Sequence, residues 1–281
     1  MKVFIKKFYL VPKFSLNRLS GTQAREGVFF FAESNTGIRV AEYFPHPEFG
    51  DPLVDEFLYQ FESSDSTFFA KIKYFLSIDI HEISPCAFHN HQLWRPGDKL
   101  WSKIIKYKLQ HKNDYSFLGI LNEIHKVRLD ANGLFSRKEI KDYLKSIPKD
   151  VLNIIDYVED PTSDQNWSDL NINVAQDFLI GDYFETIIHK PARQFFPHCN
   201  KQIIFSANMG HGIGQYHDCR ELINFGNLNF THGLVTPSLY DSVPELYKMD
   251  LETFMFQFDY KRFESFINEQ LKSDWKFLCH L

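Results

Sequence analysis

Six ionisable residues recur down the chain, each closing a short apolar run. Lys106 and Lys108 sit in KIIKYKL, Asp130 in VRLDANG, Glu159 in IDYVEDP, Asp177 in NVAQDF and Lys190 in TIIHKP. Ionisable groups at the C-terminal ends of successive strands are how a (β/α) barrel assembles an active site. Three carboxylates without a nearby cysteine favour Mg²⁺, with Mn²⁺ as a substitute, and leave room for substrate and water. Such an ion holds a substrate carboxylate and stabilises the charge formed when the adjacent carbon loses a proton. A buried lysine beside it has a lowered pKa and can act as the base. Side chains alternate along a strand, so Lys106 and Lys108 share a face, as do Arg128, Asp130 and Asn132. Singly, each group has a plainer reading: Asp130 as a turn residue, Glu159 as a solvated strand end, Lys108 as part of a basic surface. Their order along the chain is what points to one site.

The elements that must carry these groups follow from periodicity. Lys2–Leu10, Gly27–Ala32 and Ile38–Phe44 read as antiparallel strands, with Asn35–Gly37 as a turn. Asp55–Phe61 and Ser66–Ser77 read as helices. From about His89 the pattern becomes alternating strand and helix, which implies βαβ units. Strands are expected at His91–Arg95, Lys103–Leu109, Lys126–Ala131, Ile154–Val158, Asn173–Ala175, Thr186–His189 and Gln202–Phe205. Helices are expected at Tyr115–His125, after a Ser136/Glu139 capping box, at Gly212–Phe225 and at Phe263–Leu271. The connections after Asp177 and after Pro191 are too short for full helices, so the late outer helices should be trimmed to loops or 3₁₀ turns.

Composition narrows the class. The 281 residues are 44% hydrophobic and 24% charged, with net charge −5. That is a globular protein with no basic footprint for nucleic acid. Its 29 phenylalanines read as core. The four cysteines are dispersed and form no CxxC pair, which suggests reduced thiols and a cytoplasmic setting. No apolar run has the length of a membrane span, and the N-terminus reads as a strand rather than a signal peptide. His89 and His91 read as packing or pocket-lining residues. Gly210–Gly214 (GHGIG) reads as the start of a helix whose N-terminus can face a carboxylate, not as a phosphate cradle.

The ordered motifs KxK, RLDAN, VEDP, xxD and KP resemble the enolase superfamily, and within it the o-succinylbenzoate synthases. AREG and GIRVAEYFPHPEFGD resemble that family's capping domain, HNHQLW its first barrel strand, and FSANMGHGIGQYHD and THGLVTPSLY its late strands and loops. The resemblance implies an α/β fold: a (β/α)7β-type barrel with an N-terminal α+β capping domain. Residues 1–87 would be the cap, 88–240 the barrel, and 241–281 a segment packing back on both. It implies Asp130, Glu159 and Asp177 as Mg²⁺ ligands, Lys108 as the base, Lys190 as an electrostatic partner across the substrate and Lys106 as a partner at its metal end. Ser206 and its neighbours, including Asn208, would meet the substrate through backbone groups, with Arg128 and Asn132 facing inward beside them. One departure stands out: Phe178 follows Asp177 where the family has Glu.

The resemblance therefore implies a small carboxylate substrate and Mg²⁺-dependent dehydration to o-succinylbenzoate in menaquinone biosynthesis. Racemisation or epimerisation of N-acylamino acids or dipeptides is the rival within the superfamily, because Lys108 and Lys190 could serve two faces of one carbon. A non-catalytic barrel is the rival from another class, against which the retained lysines and carboxylates speak.

Overall fold

The computed structural model describes residues 1–14, 21–61, 67–164, 167–177, 183–197, 199–236 and 239–281. Phe178 lies outside them, as do residues 16–20, half of the segment Leu16–Arg25 that lacks a strand or helix pattern in the sequence and is expected on that ground to approach the substrate.

The chain begins with β1 (Lys2–Leu10), β2 (Arg25–Glu33) and β3 (Ile38–Tyr43), which pair antiparallel. The β2–β3 turn is held by Asp79, which accepts from Ser34 Oγ at 2.9 Å and Arg39 Nε at 2.7 Å. Helices α1 (Val54–Gln60) and α2 (Thr67–Leu76) cover one face of this sheet. Alternation along β2 explains its two-sided burial. Val28, Phe30 and Ala32 pack with Phe57, Phe69 and Phe75 of the helices, whereas Phe29 packs on the opposite side with Tyr216 and Phe266.

The middle of the chain supplies parallel strands in sequence order. These are β4 (Ala87–Asn90), β5 (Gln92–Leu93), β6 (Ile104–Lys108), β7 (Lys126–Asp130), β8 (Ile155–Glu159), β9 (Val174–Gln176), β10 (Thr186–His189) and β11 (Gln202–Phe205). Seven of them, β5 to β11, form one curled sheet. Beyond β11, Ser206 bridges Gly233, and β12 (Thr231–His232) pairs parallel with β4. Only His91 divides β4 from β5, and its N–H donates to His232 O at 2.8 Å. The line of parallel pairings thus returns to its start. Gly233 makes that closure possible, since a Cβ there would run into the His91 ring.

Connections follow their local sequence. Helix α3 (Arg137–Ser146) has the expected capping box, with Ser136 N donating to Glu139 Oε2 at 2.9 Å. A short α4 (Lys149–Leu152) follows. Ser116–Glu123 is a 3₁₀ helix where an α-helix was expected. Leu118, Leu121 and Ile124 recur every three residues, which suits the 3₁₀ period, and Gly119 weakens an α-helix there. Among the described residues no helix joins β9 to β10 or β10 to β11, as the short connections imply. Helix α5 (Gly212–Phe225) follows β11. The chain ends with β13 (Tyr247–Met249), β14 (Met255–Phe258), α6 (Tyr260–Leu271) and β15 (Lys276–His280). β15 pairs with β1 in the N-terminal sheet, and β14 pairs with β4 in a separate sheet of order β12-β4-β14-β13. Among the described residues no helix is long and apolar enough to cross a membrane.

Helix α5 joins the two units. Its first N–H groups are met by Glu42 of β3, which accepts from Gly214 N at 2.8 Å and also from His211 N. A carboxylate at a helix N-terminus is favourable, and GHGIG was expected to face one. That carboxylate belongs to the chain itself. Gly210 gives it room, because a Cβ there would strike Glu42 Oε1.

Burial pushes the Glu42 carboxyl up to about 7 against the lowering effect of these N–H groups. On this group the folded state therefore binds more protons than the unfolded one between about pH 4.5 and 7, and the contribution of Glu42 to stability falls as pH rises through that window. Urea unfolding across it should show the native chain losing up to roughly 3 kcal/mol relative to Glu42→Gln. A difference that stays flat with pH would mean that Glu42 ionises normally.

Candidate active site

Register sets the candidate groups side by side. Lys106, Arg128 and Tyr157 are cross-strand neighbours, and one pleat further Lys108, Asp130 and Glu159 are neighbours. Their alternates Ile105, Tyr107, Val127, Leu129 and Val158 belong to the apolar core outside the strands. The charged layer is thereby turned inward at the C-terminal strand ends.

Within this layer each carboxylate has an ammonium partner. Lys106 Nζ donates to both Glu159 oxygens at 2.6 and 2.7 Å and lies 3.1 Å from Asp130 Oδ2. Lys108 Nζ is 3.6 Å from the same Asp130 oxygen. Lys190 pairs with Asp177 through both its oxygens. Asn132, at a positive φ of 44°, donates to Asp130 Oδ1 at 2.5 Å. Asp177 N donates to Asp160 Oδ1 at 3.0 Å, which fixes the strand end that carries it.

Electrostatics assign states to these groups. Burial alone would lower Lys106, but the Asp130 and Glu159 charges overcome it and hold its ammonium well above the usual range. Burial would likewise raise Asp130, and the lysines keep it lowered. Burial lowers Lys108, which favours a free amine beside the site. Glu159 remains pushed up to about 8, first by burial and then by the Asp130 charge. The lysines therefore leave this corner short of positive charge.

That shortage, with an all-oxygen donor set, fits a hard divalent cation at Asp130, Glu159 and Asp177. Among the described residues no group of carboxylates already stands as a metal cluster, and ammoniums lie among them. Holding an ion would exchange those ammonium partners for it.

The cavity above is about 30 Å³, roughly the share of one water. Lys106, Lys108, Asn132, Asp177, Lys190, Ser206 and Asn208 line it. Asp130 and Glu159 lie deeper, at 2% and 1% exposure. A second cavity of about 240 Å³ shares the Ala207–Met209 wall.

Two expectations need correction. Arg128 is inward-facing but does not line the cavity. It lies one pleat deeper than Asp130 and is held there by Asp156 Oδ2 at 2.9 Å, Thr231 O at 2.8 Å and His91 Nδ1 at 2.9 Å. The backbone N–H groups of Ser206 and Ala207 do not face substrate either. They donate to His189 O and Gly233 O inside the strand ladder, at 2.9 and 3.0 Å. The buried Asn208 Oδ1 has no partner among the described residues.

Four lining residues were not singled out in the sequence reading: His46, Phe49, Ala207 and Met209. His46 and Phe49 bracket the 3₁₀ turn Pro47–Phe49 of the N-terminal unit. Arg25 Nη1 donates to His46 Nδ1 at 3.1 Å, so the other ring nitrogen carries the proton and donates to Asn208 O at 3.0 Å. Asp51 pairs with Arg193, three residues past Lys190. Residues 46–51 therefore lie against the strand ends that carry the candidate groups. Pro45 and Pro47 around His46 were the available signal, since they fix a rigid turn.

No protein-family model matches the chain, and no curated protein matches it. Solved structures do. An o-succinylbenzoate synthase from Thermosynechococcus elongatus BP-1, complexed with Mg in the active site, aligns over 87% of this chain and 95% of its own, at 14% identity and TM-score 0.63. A dipeptide epimerase from Enterococcus faecalis V583, complexed with Mg and L-Leu-L-Tyr, aligns over 92% and 96% at 12% identity and TM-score 0.63. An unknown member of the enolase superfamily from the same organism aligns over 99% of both chains at 10% identity and TM-score 0.69. At these identities the likeness is one of fold: this chain has the α/β fold of enolase superfamily members.

The Lys106 bridge makes a direct prediction. Lys106→Met leaves two carboxylates buried without their cation, which should cost about 3–5 kcal/mol of unfolding free energy in EDTA. Added Mg²⁺ should recover part of it, as urea titrations would show. A variant as stable as the native chain in EDTA would mean that Lys106 does not neutralise this corner.

Proposed function

We propose that this chain is a Mg²⁺-dependent lyase that dehydrates 2-succinyl-6-hydroxy-2,4-cyclohexadiene-1-carboxylate to o-succinylbenzoate, a step of menaquinone biosynthesis. The observation that carries the reading is Lys108 and Lys190, four strands apart, facing one cavity whose floor is three carboxylates. In this reading the curled sheet is a (β/α)7β-type barrel over residues 88–240 with trimmed late helices. Residues 1–87 are its cap, residues 241–281 pack on both, and the setting is cytoplasmic.

Asp130, Glu159 and Asp177 hold the ion. Bound Mg²⁺, or Mn²⁺ in its place, supplies positive charge against the substrate carboxylate as the adjacent carbon loses its proton. Lys108, lowered by burial, takes that proton. The C–O bond on the same face then breaks, and Lys108 returns the proton to the departing hydroxyl. Water leaves and the ring becomes aromatic. Lys190 stabilises the intermediate charge from the other face, and Lys106 serves the carboxylate end. Asn132 holds Asp130 in place. Ser206 and Asn208 present side chains to the substrate, and Asn208 Oδ1 has an open acceptor. Arg128 supports the floor rather than the substrate. A cavity of about 30 Å³ cannot hold this substrate, so His46 and Phe49 must withdraw to admit it.

The second reading is racemisation or epimerisation of N-acylamino acids or dipeptides. Two lysines on opposite sides of one cavity favour it, and so does the equal structural likeness to a dipeptide epimerase.

Purified protein should form o-succinylbenzoate from the cyclohexadiene precursor, lose that activity in EDTA and regain it with Mg²⁺. Lys108→Ala should lose at least the ~10²–10⁴-fold that general acid–base catalysis contributes. Lys190→Arg should keep more activity than Lys108→Arg. Near-normal dehydration by Lys108→Ala would remove Lys108 as the base. Efficient racemisation of N-succinylamino acids or dipeptides with the precursor untouched would hand the site to the second reading.

A further inference from the structure

We propose that Lys71, Glu221 and His189 form a buried clamp that ties the seating of the N-terminal unit to the position of Lys190, with Glu221 as the positioning residue. The clamp rests on the reading of Lys190 as the site's second lysine. Lys71 lies on α2, whose Phe69, Ile72 and Phe75 pack on their own sheet. Lys71 leaves that face and reaches α5, where its ammonium pairs with Glu221 Oε1 at 1% and 2% side-chain exposure. The rings of Tyr74, Phe75 and Phe195 surround the ammonium at 5.2, 4.7 and 5.0 Å. Glu221 Oε2 lies 3.4 Å from His189 Nε2.

His189 ends β10. Side chains alternate there, so its ring faces α5 while Lys190, the next residue, faces the cavity. The turn beyond leans on the same helix. Ala192 N donates to Asp218 Oδ1 at 3.0 Å, and Arg193 N and Gln194 N donate to Lys190 O at 2.9 and 3.0 Å. Phe195 of that turn is one of the rings beside Lys71.

A fully buried ion pair is seldom more stable than an apolar pair of the same volume. The rings around the ammonium would accept such a replacement, while buried Asp218 and Arg220 stand near it as well. What the charges add is geometry, because ammonium, carboxylate and imidazole fit in one arrangement. When the N-terminal unit lifts, Glu221 loses its cation in dry surroundings and must move or rehydrate, taking the end of β10 with it. Lys190 is then placed for chemistry only when the unit is seated.

The test compares the native chain with Lys71→Met/Glu221→Leu, which removes both charges of the pair together, and with Lys71→Arg, which keeps the charge. Two readouts need no substrate. One is amide hydrogen exchange over residues 189–195. The other is the pH profile of Lys190 acylation by acetic anhydride, read by peptide mass spectrometry. In the double variant, exchange there should be at least tenfold faster and the Lys190 profile displaced, with β7 and β8 peptides unchanged. Lys71→Arg should stay near native. A folded double variant with native exchange and a native Lys190 profile overturns the clamp. Should the double variant not fold, His189→Leu, which leaves the Lys71–Glu221 pair intact, must show the same faster exchange, and native exchange there overturns the clamp equally. If the protein turns over no carboxylate yet shows the expected exchange pattern, the functional reading fails and the clamp stands.

Discussion

The ammonium of Lys106, held between Asp130 and Glu159, is the interaction on which the rest of the site depends. Without it burial would raise Asp130, at 2% exposure, and Glu159, already pushed up to about 8 beside it, would rise further. Removing such charges from water costs several kcal/mol per ion, and an apolar layer would fill the same space more cheaply. Charge kept inside the curled sheet at that cost marks function more readily than stability. The position of Lys106 is itself set by β6, β7 and β8 running parallel and in register, so the fold's first task is to align three strands.

Its second task is to cover their ends. Helix α5 does this by facing both units. Its N-terminus takes the Glu42 carboxylate, His217 Nε2 meets Val40 O at 2.9 Å, and Glu221 takes the Lys71 ammonium. These three contacts fall along one side of the helix, and each reaches a residue of the N-terminal unit. The amphipathic pattern is weak here because the helix is buried almost all round. With α5 fixed on the N-terminal unit, the turn Pro47–Phe49 is brought over the strand ends, and His46 reaches Asn208.

Much of this was legible in the sequence, for identifiable reasons. Strands such as Thr186–His189 and Gln202–Phe205 are short apolar runs bounded by polar residues, and their bounds match the expectation. The lysines and carboxylates stood out because alternation along a strand decides which face a side chain takes. Alternation does not decide depth, which is why Arg128 was placed at the cavity when Asp156 and Thr231 hold it in the floor. Nor does it tell which backbone N–H groups the ladder consumes, which is why Ser206 was given a backbone role. His46 and Phe49 arrive from a unit more than fifty residues earlier in the chain, and β15 finds β1 from the opposite terminus. Such pairings leave no local signal. The assignment of the three carboxylates to one ion, and of each lysine to its step, stays a proposal built on this geometry.

The central claim is that Lys108 removes a proton from the carbon next to a bound carboxylate. Proton exchange tests it without requiring the full reaction. The native protein would be incubated in D₂O with Mg²⁺ and a carboxylate analogue that lacks the departing hydroxyl, and deuterium at the α-carbon followed by NMR. The account predicts deuterium uptake that stops in EDTA and is absent from Lys108→Ala. Uptake that is unchanged in Lys108→Ala, or no uptake by the native protein with a bound analogue, would contradict it.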